Sequence, residues 1–166
     1  IADAGFMYAA KMSGSAAGYD LFTPDAGELA FLADDQAPHP FYTRGFILHE
    51  EQKVPDVITR AYRHRNAARP VVVKGRIDYV ANRQGVIATI DSPVEEALEP
   101  IGGTGDTLTG IVSAFICGGF DVDRAAVLAA RANRLAGRLA SPTPMTQVQE
   151  IIAQIPQAVK QVLETR

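Results

Sequence analysis

The stretch Gly102-Gly103-Thr104-Gly105-Asp106-Thr107-Leu108-Thr109-Gly110 is the most informative segment of this 166-residue chain. Its run of three glycines in four residues lets the backbone adopt positive φ angles and approach a ligand closely. Apolar residues follow at helical spacing, namely Leu108, Ile111, Val112 and Phe115. The segment therefore predicts a tight loop that opens a helix, which we expect over residues 105–117.

A loop of this kind presents backbone N–H groups at the start of a helix, where the helix dipole also favours negative charge. Phosphate is the biological anion that suits such a place best. The segment matches neither the P-loop, because no Gly-Lys-Ser/Thr follows, nor the dinucleotide fingerprint of spaced glycines. The sequence thus predicts a phosphate cradle of another type, formed by Gly102, Gly103, Thr104 and Gly105.

Asp106 falls in the first turn of the predicted helix, and its carboxylate has two interpretations. It could act only on the helix dipole, which would stabilise the helix by about 0.3–1 kcal/mol. It could instead accept the proton of a substrate hydroxyl that attacks a phosphate. Spacing alone leaves both interpretations open.

Strand-like and helix-like segments alternate along the rest of the chain, which favours an α/β layered fold. The β-branched run Val71-Val72-Val73 is typical of a strand buried on both faces of a parallel sheet, and Lys74-Gly75 ends it. Residues 79–81 and 86–90 flank a polar turn that ends in Gly85, which predicts a hairpin.

Helical periodicity predicts further helices over residues 25–33, 54–67, 124–139 and 147–163. Asp121 or Asp123 is expected near the start of the third of these. Thr146 and Gln149 match the capping-box spacing at the start of the last, and Pro156 is expected to kink it. No boundary justifies a division, so we expect a single domain over residues 1–166.

Composition and charge exclude several classes of protein. The net charge of −3 gives no bulk attraction to nucleic acid or to an anionic membrane. The longest apolar stretch, 111–117, is too short to cross a bilayer, and no signal-peptide pattern is visible. A single cysteine excludes an internal disulfide, so a cytoplasmic protein is expected. The three histidines, His39, His49 and His64, show no metal-ligand spacing, and no metal site is predicted.

The motif at 102–110 resembles the signature of ribokinase-like enzymes. In particular it resembles that of the ADP/ATP-dependent NAD(P)H-hydrate dehydratases, a carbohydrate-kinase-like family. Residues 22–28, Phe-Thr-Pro-Asp-Ala-Gly-Glu, resemble that family's Thr-Pro-His-Pro-Gly-Glu segment, and 71–75 with the following hairpin resemble its strand–Lys-Gly–hairpin segment. The resemblance spans essentially the whole chain but only the C-terminal part of the family domain. It implies a three-layer, Rossmann-like α/β sandwich that lacks the N-terminal part of that domain.

The resemblance also implies roles for individual residues. The aspartate of the glycine motif contacts the substrate and acts as its base, which maps to Asp106, while the glycine before it lies on the nucleotide, which maps to Gly105. The histidine of the Thr-Pro-His segment, a substrate contact, corresponds to Asp25. ADP or ATP is the implied cofactor, with Mg²⁺ as a candidate companion. Apart from the resemblance, Glu28 could help to organise Mg²⁺ or could simply be a glutamate on a helix surface. The stretch that lines the nucleotide site maps to Lys74, Gly75, Arg76, Ile77 and Asp78.

Four departures from the family pattern bear on these roles. Asp25 stands in place of the histidine, and residues 90–93 contain no Asn-Pro-type loop. Residues 74–77 read Lys-Gly-Arg-Ile where the family has Lys-Gly-Ala-Gly. The N-terminal half, which carries further substrate-binding residues, has no counterpart, and the chain reads as though it starts inside a strand. We therefore expect a fragment, a processed chain or one of two pieces.

Three functions follow as hypotheses. The first is phosphoryl-transfer-driven dehydration of a hydrated nicotinamide cofactor, and the second is phosphorylation of a sugar or vitamin precursor by a small-molecule kinase of the same fold. The third is a nucleotide-binding or assembly module without catalysis. An incomplete sheet would expose an edge and apolar faces, so we also expect pairing with a second copy or with the missing N-terminal half.

Overall fold

A computed structural model describes residues 1–36 and 54–165 of the chain. The chain forms two compact units, Ile1–Thr89 and Ile90–Arg166. The described residues are mostly helical and include a small sheet, so the expected mixed α/β class is confirmed. The three-layer arrangement and the single domain stay predictions. In the described part of the chain, no helix is long and apolar enough to span a membrane.

Three α-helices of the first unit lie among its described residues: α1 (Ala4–Met12), α2 (Ala26–Ala33) and α3 (Val54–Arg63). Helix α2 has nearly its predicted bounds. Helix α3 ends before residue 67, where the sequence predicted its end, because Arg65 adopts a left-handed φ of 61°. A backbone in that region cannot continue a right-handed helix.

The sheet has the order β1 (Val71–Val73), β2 (Asp78–Asn82) and β3 (Gly85–Ile90). Strands β2 and β3 are neighbours joined by a short turn, which confirms the predicted hairpin. Strand β1 pairs with β2 in antiparallel fashion, which corrects the prediction of a parallel sheet on that side. On its other side β1 meets Phe22 in a parallel bridge, and Phe22 in turn meets Ala2 in the same sense.

Strand β1 is buried throughout, and this is why its direction could not be predicted from its composition. A continuous β-branched run indicates that both faces of a strand are buried. It does not indicate whether the neighbouring strands are parallel or antiparallel. The core around β1 includes seven large side chains that are at most 1% exposed, namely Met7, Phe22, Leu29, Leu32, Ile58, Val71 and Val73. Complete burial of one such side chain stabilises a fold by roughly 1.5–3 kcal/mol.

Helix α1 contacts the C-terminal end of α2 through Lys11. The Lys11 ammonium lies 2.6 Å from the carbonyl oxygen of Phe31, also donates to that of Asp34, and sits 3.8 Å from the centre of the Phe31 ring. A cation at this end of a helix satisfies carbonyls that have no partner within the helix. Burial lowers the pKa of Lys11, and the nearby carboxylates of Asp34 and Asp35 partly oppose that shift.

The second unit carries the helices α4 (Thr104–Cys117), α5 (Val122–Leu139) and α6 (Val148–Glu164). Helix α5 begins at Asp121, whose carboxylate accepts the N–H groups of Asp123 and Arg124 at 3.0 and 3.3 Å. Of the two aspartates that the sequence offered as its start, Asp121 is therefore the cap.

Helix α6 begins with a capping box one residue later than predicted. Gln147 and Glu150 form the box, and the Glu150 carboxylate accepts the Gln147 N–H at 2.8 Å. The predicted partner Thr146 instead uses its hydroxyl to accept the N–H of Thr143 at 2.9 Å in the preceding turn. The helix continues through Pro156.

Candidate functional site

The predicted glycine loop forms a sharp turn into α4. Gly103 precedes the helix with φ 96° and ψ −7°, a left-handed conformation that glycine adopts without a steric penalty. A Cβ atom at this position would lie 3.1 Å from Cγ2 of Val148, the first residue of α6. The carbonyl oxygen of Gly103 accepts the N–H of Thr107 at 3.0 Å, which closes the first turn.

Gly103, the N-cap residue of α4, makes no side-chain capping hydrogen bond. The amides of Thr104, Gly105 and Asp106 belong to the first turn, where the helix offers no carbonyl for them to bond. Together with the helix dipole they form the kind of place where an anion binds. Gly102 is exposed beside them.

Asp106 is an exposed residue in this turn, and it borders a cavity of about 410 Å³. The cavity lies between α4 and α6 and has a largely aliphatic lining. Its lining residues are Gly103, Asp106, Thr107, Gly110, Ile111, Ala114, Val148, Ile152 and Ile155. The glycine loop, a carboxylate and an apolar groove are thus adjacent within the second unit.

Asn133 of α5 supports this turn, a contact that the sequence did not predict. Its Nδ2 donates to the carbonyl oxygen of Thr104 at 3.1 Å. The Thr107 hydroxyl lies 2.6 Å from the Asn133 Oδ1 and 2.8 Å from the Thr104 carbonyl oxygen, so its hydrogen is shared between two acceptors. Thr107 is only 8% exposed, and the network therefore fixes the first turn from its buried side.

A second set of predicted residues lies in the first unit, around the end of β1. The Lys74 ammonium is 2.9 Å from Oδ1 of Asp3 and 3.9 Å from Oε2 of Glu28. The side chains of Lys74, Asp3 and Glu28 are 21, 17 and 13% exposed, respectively. The Lys74 N–H donates to the carbonyl oxygen of Pro24 at 2.8 Å, and its backbone forms a parallel bridge with Asp25.

Asp25 is the N-cap of α2 and forms a complete capping box with Glu28. Its carboxylate accepts the Glu28 N–H at 2.7 Å, and the Glu28 carboxylate accepts the Asp25 N–H at 2.8 Å. Burial raises the pKa of Glu28, while the Asp25 hydrogen bond and, more weakly, Lys74 oppose this shift. The Asp25 carboxylate, expected as a substrate contact, thus also starts a helix.

Residues 75–77 form an exposed bend after Lys74. Asp78 closes this bend: it is 7% exposed, and its Oδ1 accepts the Gly75 N–H at 3.1 Å. Arg76 and Ile77 lie on the exposed part, with Ile77 38% exposed.

Within residues 1–36 and 54–165, no three His, Cys, Asp or Glu side chains are grouped as metal ligands. Glu28, the candidate for Mg²⁺, already faces the Lys74 ammonium and the Asp25 N–H. His39 and His49 lie outside the described residues.

The structure therefore brings the predicted site residues together in two sets, each within its own unit. Two further residues, Asp3 and Asn133, join these sets without having been predicted. Asp3 is 71 positions from Lys74 in the sequence, so no local spacing could relate them. Asn133 lies on a predicted helix, but nothing in the sequence shows which helix faces α4.

Comparison with solved structures defines the class of the fold. The chain superposes on a pyridoxal kinase from Entamoeba histolytica with a TM-score of 0.59 and 21% identity, over 93% of this chain and 52% of that one. A hypothetical protein from Streptococcus mutans gives the same TM-score at 19% identity, over 87% of this chain and 56% of that one. The fold is ribokinase-like and corresponds to about half of such a protein.

Sequence comparison then gives the family. The model of the NAD(P)H-hydrate dehydratase family of carbohydrate-kinase-like proteins matches residues 1–157, and the chain belongs to this family. It is 46% identical over 165 residues to an uncharacterized protein of Methanocaldococcus jannaschii, covering 99% of this chain and 71% of that protein. It is 31% identical over 122 residues to the bifunctional NAD(P)H-hydrate repair enzyme Nnr of Pyrobaculum aerophilum, covering 74% of this chain and 21% of that enzyme.

Proposed function

We propose that this chain binds ADP or ATP at the N-terminal end of α4 and serves the ADP/ATP-dependent dehydration of hydrated NAD(P)H. The observation that carries the proposal is the exposed Asp106 carboxylate in the first turn of α4, three residues after the left-handed Gly103. A phosphate bound to the amides of that turn would lie beside a group able to accept a proton. Family membership supports the substrate class, which the geometry alone leaves open.

The groove between α4 and α6 supports the nucleotide part of the proposal. Its volume of about 410 Å³ falls within the usual range for small-molecule pockets. The aliphatic side chains of Ile111, Ile152 and Ile155 offer an apolar surface on which the flat face of a purine base could pack. Gly103 borders both the groove and the anion-binding turn, so base and phosphates would occupy adjoining places.

In the proposed reaction Asp106 takes the proton of the hydroxyl group on the hydrated ring as its oxygen attacks the terminal phosphorus of the nucleotide. The bond from that phosphorus to the rest of the nucleotide breaks, and backbone N–H groups of residues 102–105 stabilise the charge on the transferred group. The carbon–oxygen bond then breaks, phosphate leaves with the electron pair, and loss of a proton from the neighbouring carbon restores the ring double bond.

Further assignments rest on the family pattern. Lys74, with the bend at 75–77 and Asp78, is proposed as part of the nucleotide site, and Asp25 as a substrate contact. The complete three-layer sandwich of the family is likewise part of the proposal, because the chain spans only about half the length of the solved structures that it matches.

The experiment is an assay of hydrated NADPH with the chain and either ADP or ATP, following recovery of the nicotinamide absorbance. We expect turnover in the wild type and a loss of kcat of at least about 10²-fold in Asp106→Asn. ADP binding, measured by calorimetric titration, should persist in this variant because a negative charge beside the phosphate is removed. Asp35→Asn, at a side chain that is 55% exposed in the first unit, is the matched control. Absence of turnover with both nucleotides contradicts the dehydratase proposal.

A small-molecule kinase is the second candidate, because an exposed carboxylate beside an anion-binding turn can equally serve phosphorylation of a stable alcohol. The two candidates differ in their products. A stable phosphorylated product indicates a kinase, whereas inorganic phosphate together with recovered NADPH indicates a dehydratase. If Asp106→Ala leaves every measurable activity unchanged, the module without catalysis is favoured instead.

We also propose that the chain pairs with a second copy or with a segment equivalent to the N-terminal part of the family domain. Strand β3 supports this, because its adjacent residues Val86 and Ile87 are 39 and 43% exposed. Adjacent strand residues point to opposite faces, so apolar surface is exposed on both. Sedimentation analysis should show a dimer or larger species. A monomer that unfolds in one cooperative transition contradicts the pairing.

A further inference from the structure

We propose that Asn133 of α5 is a positioning residue that holds the Gly105 N–H in the direction needed for contact with a phosphate. The inference rests on the proposed function, in which amides of the first turn of α4 bind the nucleotide. Asn133, Thr104 and Gly105 all belong to the unit Ile90–Arg166. Asn133 lies outside all three sequence segments that define the family resemblance.

The peptide group between Thr104 and Gly105 links Asn133 to this N–H. Its carbonyl oxygen, that of Thr104, accepts a hydrogen bond from Nδ2 of Asn133 at 3.1 Å. Its N–H belongs to Gly105, and in a planar trans peptide the N–H and the carbonyl point in opposite directions. A bond that holds the Thr104 carbonyl toward α5 therefore also holds the direction of the Gly105 N–H.

The Asn133 amide is itself held in one orientation. Its Oδ1 lies 2.6 Å from the Thr107 hydroxyl, which belongs to the same turn of α4. The amide therefore cannot rotate without losing contacts to both Thr107 and Thr104. Helix ends fray readily, so contacts from a second helix matter most in a first turn of this kind.

Helix α5 also holds the chain on the other side of the glycine loop. Leu98 and Ile101, which precede the loop, pack against a cluster of side chains from α5 and α6. Leu98 lies against Gly137, one helical turn after Asn133, and a Cβ atom at Gly137 would collide with Cδ1 of Leu98. The loop is thus held at both ends by α5, and Asn133 provides the contact at the end that carries the amides.

An amide that is held in advance suits a phosphate site. A donor that already points at its ligand loses little freedom on binding, which increases the affinity. The same donor stabilises charge on a transferred group without having to reorient during the reaction. Without Asn133 the peptide group of Thr104 and Gly105 would lose its contact with α5, and the Gly105 N–H would be less restrained.

Asn133→Ala tests this role in binding. We expect its Kd for ADP, measured by calorimetric titration, to rise about tenfold. Asn133→Gln keeps a donor and an acceptor on a longer side chain and should recover part of the loss. If the alanine variant does not fold, Asn133→Leu, whose side chain is similar in volume to asparagine, provides the same comparison.

Leu128→Val is the matched control for a general loss of stability. Leu128 is a buried residue of the same helix, 9% exposed, and the substitution removes one methylene group from it. Loss of buried apolar surface should lower the free energy of unfolding, while the Asn133 contacts stay in place. We therefore expect Leu128→Val to bind ADP as the wild type does.

A second readout follows Gly105 without any nucleotide. Labelling with ¹⁵N-glycine restricts the NMR spectrum to the 14 glycines of the chain, and Gly105→Ala identifies the Gly105 signal. The ¹⁵N–¹H NOE of Gly105 should fall in Asn133→Ala because the amide gains fast motion. Gly118, whose N–H donates to the Ala114 carbonyl oxygen at 2.9 Å at the other end of α4, is the internal reference. Equal Gly105 values in the two chains would overturn the positioning role.

The outcomes distinguish the inference from the proposed function. If the wild type binds ADP and both Asn133→Ala and Asn133→Leu bind it equally tightly, the role of Asn133 is refuted and the proposed function stands. If the wild type does not bind ADP, the proposed function fails. The phosphate part of the inference fails with it, and the NOE values then decide only whether Asn133 holds the Gly105 N–H.

Discussion

Thr107 of α4 and Asn133 of α5 are joined by a hydrogen bond of 2.6 Å between Oγ1 and Oδ1. The same Asn133 side chain also donates to the carbonyl oxygen of Thr104 at 3.1 Å. One amide group therefore bonds to two residues of the turn that contains Asp106. Asn133 thereby links α5 to the turn that carries Asp106.

Replacement of Asn133 by alanine should destabilise the chain. Two buried or half-buried polar groups, the Thr107 hydroxyl and the Thr104 carbonyl, each lose a partner. We expect the free energy of unfolding to fall by about 0.5–1.5 kcal/mol in urea denaturation, because the two groups keep the hydrogen bond between them. Thr107→Val is the matched partner variant. If the double variant is destabilised by the full sum of the two single effects, the coupling between these side chains is absent.

The two loop glycines should respond differently to alanine. Gly103→Ala places a Cβ in a left-handed backbone and 3.1 Å from Val148, which should cost about 1–3 kcal/mol of stability and weaken ADP binding. Gly102→Ala meets no atom within 4 Å and is the control, with a φ outside the left-handed region. Chemical denaturation and calorimetric titration of both variants provide the measurement. Equal stability of the two variants would contradict the structural difference.

Gly110→Leu should raise the stability of the chain and weaken its binding of ADP. Gly110 is an interior residue of α4, and an added Cβ meets nothing within 4 Å, so the substitution should raise stability by about 1 kcal/mol through helix propensity. The same residue lines the groove, and a leucine side chain there would occupy space proposed for the base. We expect ADP affinity to fall at least about tenfold.

Gly110→Ala is the control for this experiment, because it gives a similar gain in helix propensity with far less added volume. Thermal melting and ADP titration of both variants are compared. If the leucine variant binds ADP as tightly as the alanine variant, the groove does not hold the base.

The pH dependence of stability should change in Glu28→Gln. Burial raises the pKa of Glu28 above its ordinary value of 4.5, so the folded chain keeps this proton to a higher pH than the unfolded chain. Ionisation of Glu28 therefore reduces stability as the pH rises through that interval. Glutamine cannot ionise, yet it keeps an oxygen for the Asp25 N–H.

We accordingly expect the free energy of unfolding of Glu28→Gln, relative to the wild type, to increase between about pH 4 and about pH 7. Urea denaturation at both pH values provides this difference. Glu164→Gln, at a side chain that is 65% exposed, should show little change and serves as the control. A relative stability that falls over this range would contradict the direction of the Glu28 shift.

Elements fixed by local chemistry could be predicted from the sequence. The glycine run and the apolar spacing after it predicted the start of α4 to within one residue, because both signals act over one or two turns. The hairpin of β2 and β3 followed from two strand-like segments around a short polar turn. In each case the residues that determine the structure are neighbours in the chain.

Two kinds of feature could not be predicted: those in which alternative local hydrogen bonds compete, and those that depend on residues far apart in the sequence. Two overlapping pairs satisfied capping-box spacing before α6, and the structure uses Gln147 because Thr146 bonds within the preceding turn. Asp3 precedes α1 at its N-cap position, but its carboxylate pairs with Lys74, which is 71 residues away in the sequence. The antiparallel partner of β1 was missed because burial of a strand does not reveal the direction of its neighbour.

Helix α1 has consequences at both of its ends. Asp3, just before it, holds Lys74, and Lys11, in its last turn, bonds to the carbonyl oxygens at the end of α2. Proteolytic nicking in the segment between α1 and α2 would leave these contacts in place, so the two pieces should stay associated and pass through gel filtration together. Deletion of residues 1–12 would instead remove both Asp3 and Lys11. The Lys74 ammonium and the carbonyl oxygens at the end of α2 would then each lose a partner. Helix α1 therefore connects the end of β1 with the end of α2 inside the first unit. Shortened versions of the chain should retain this helix.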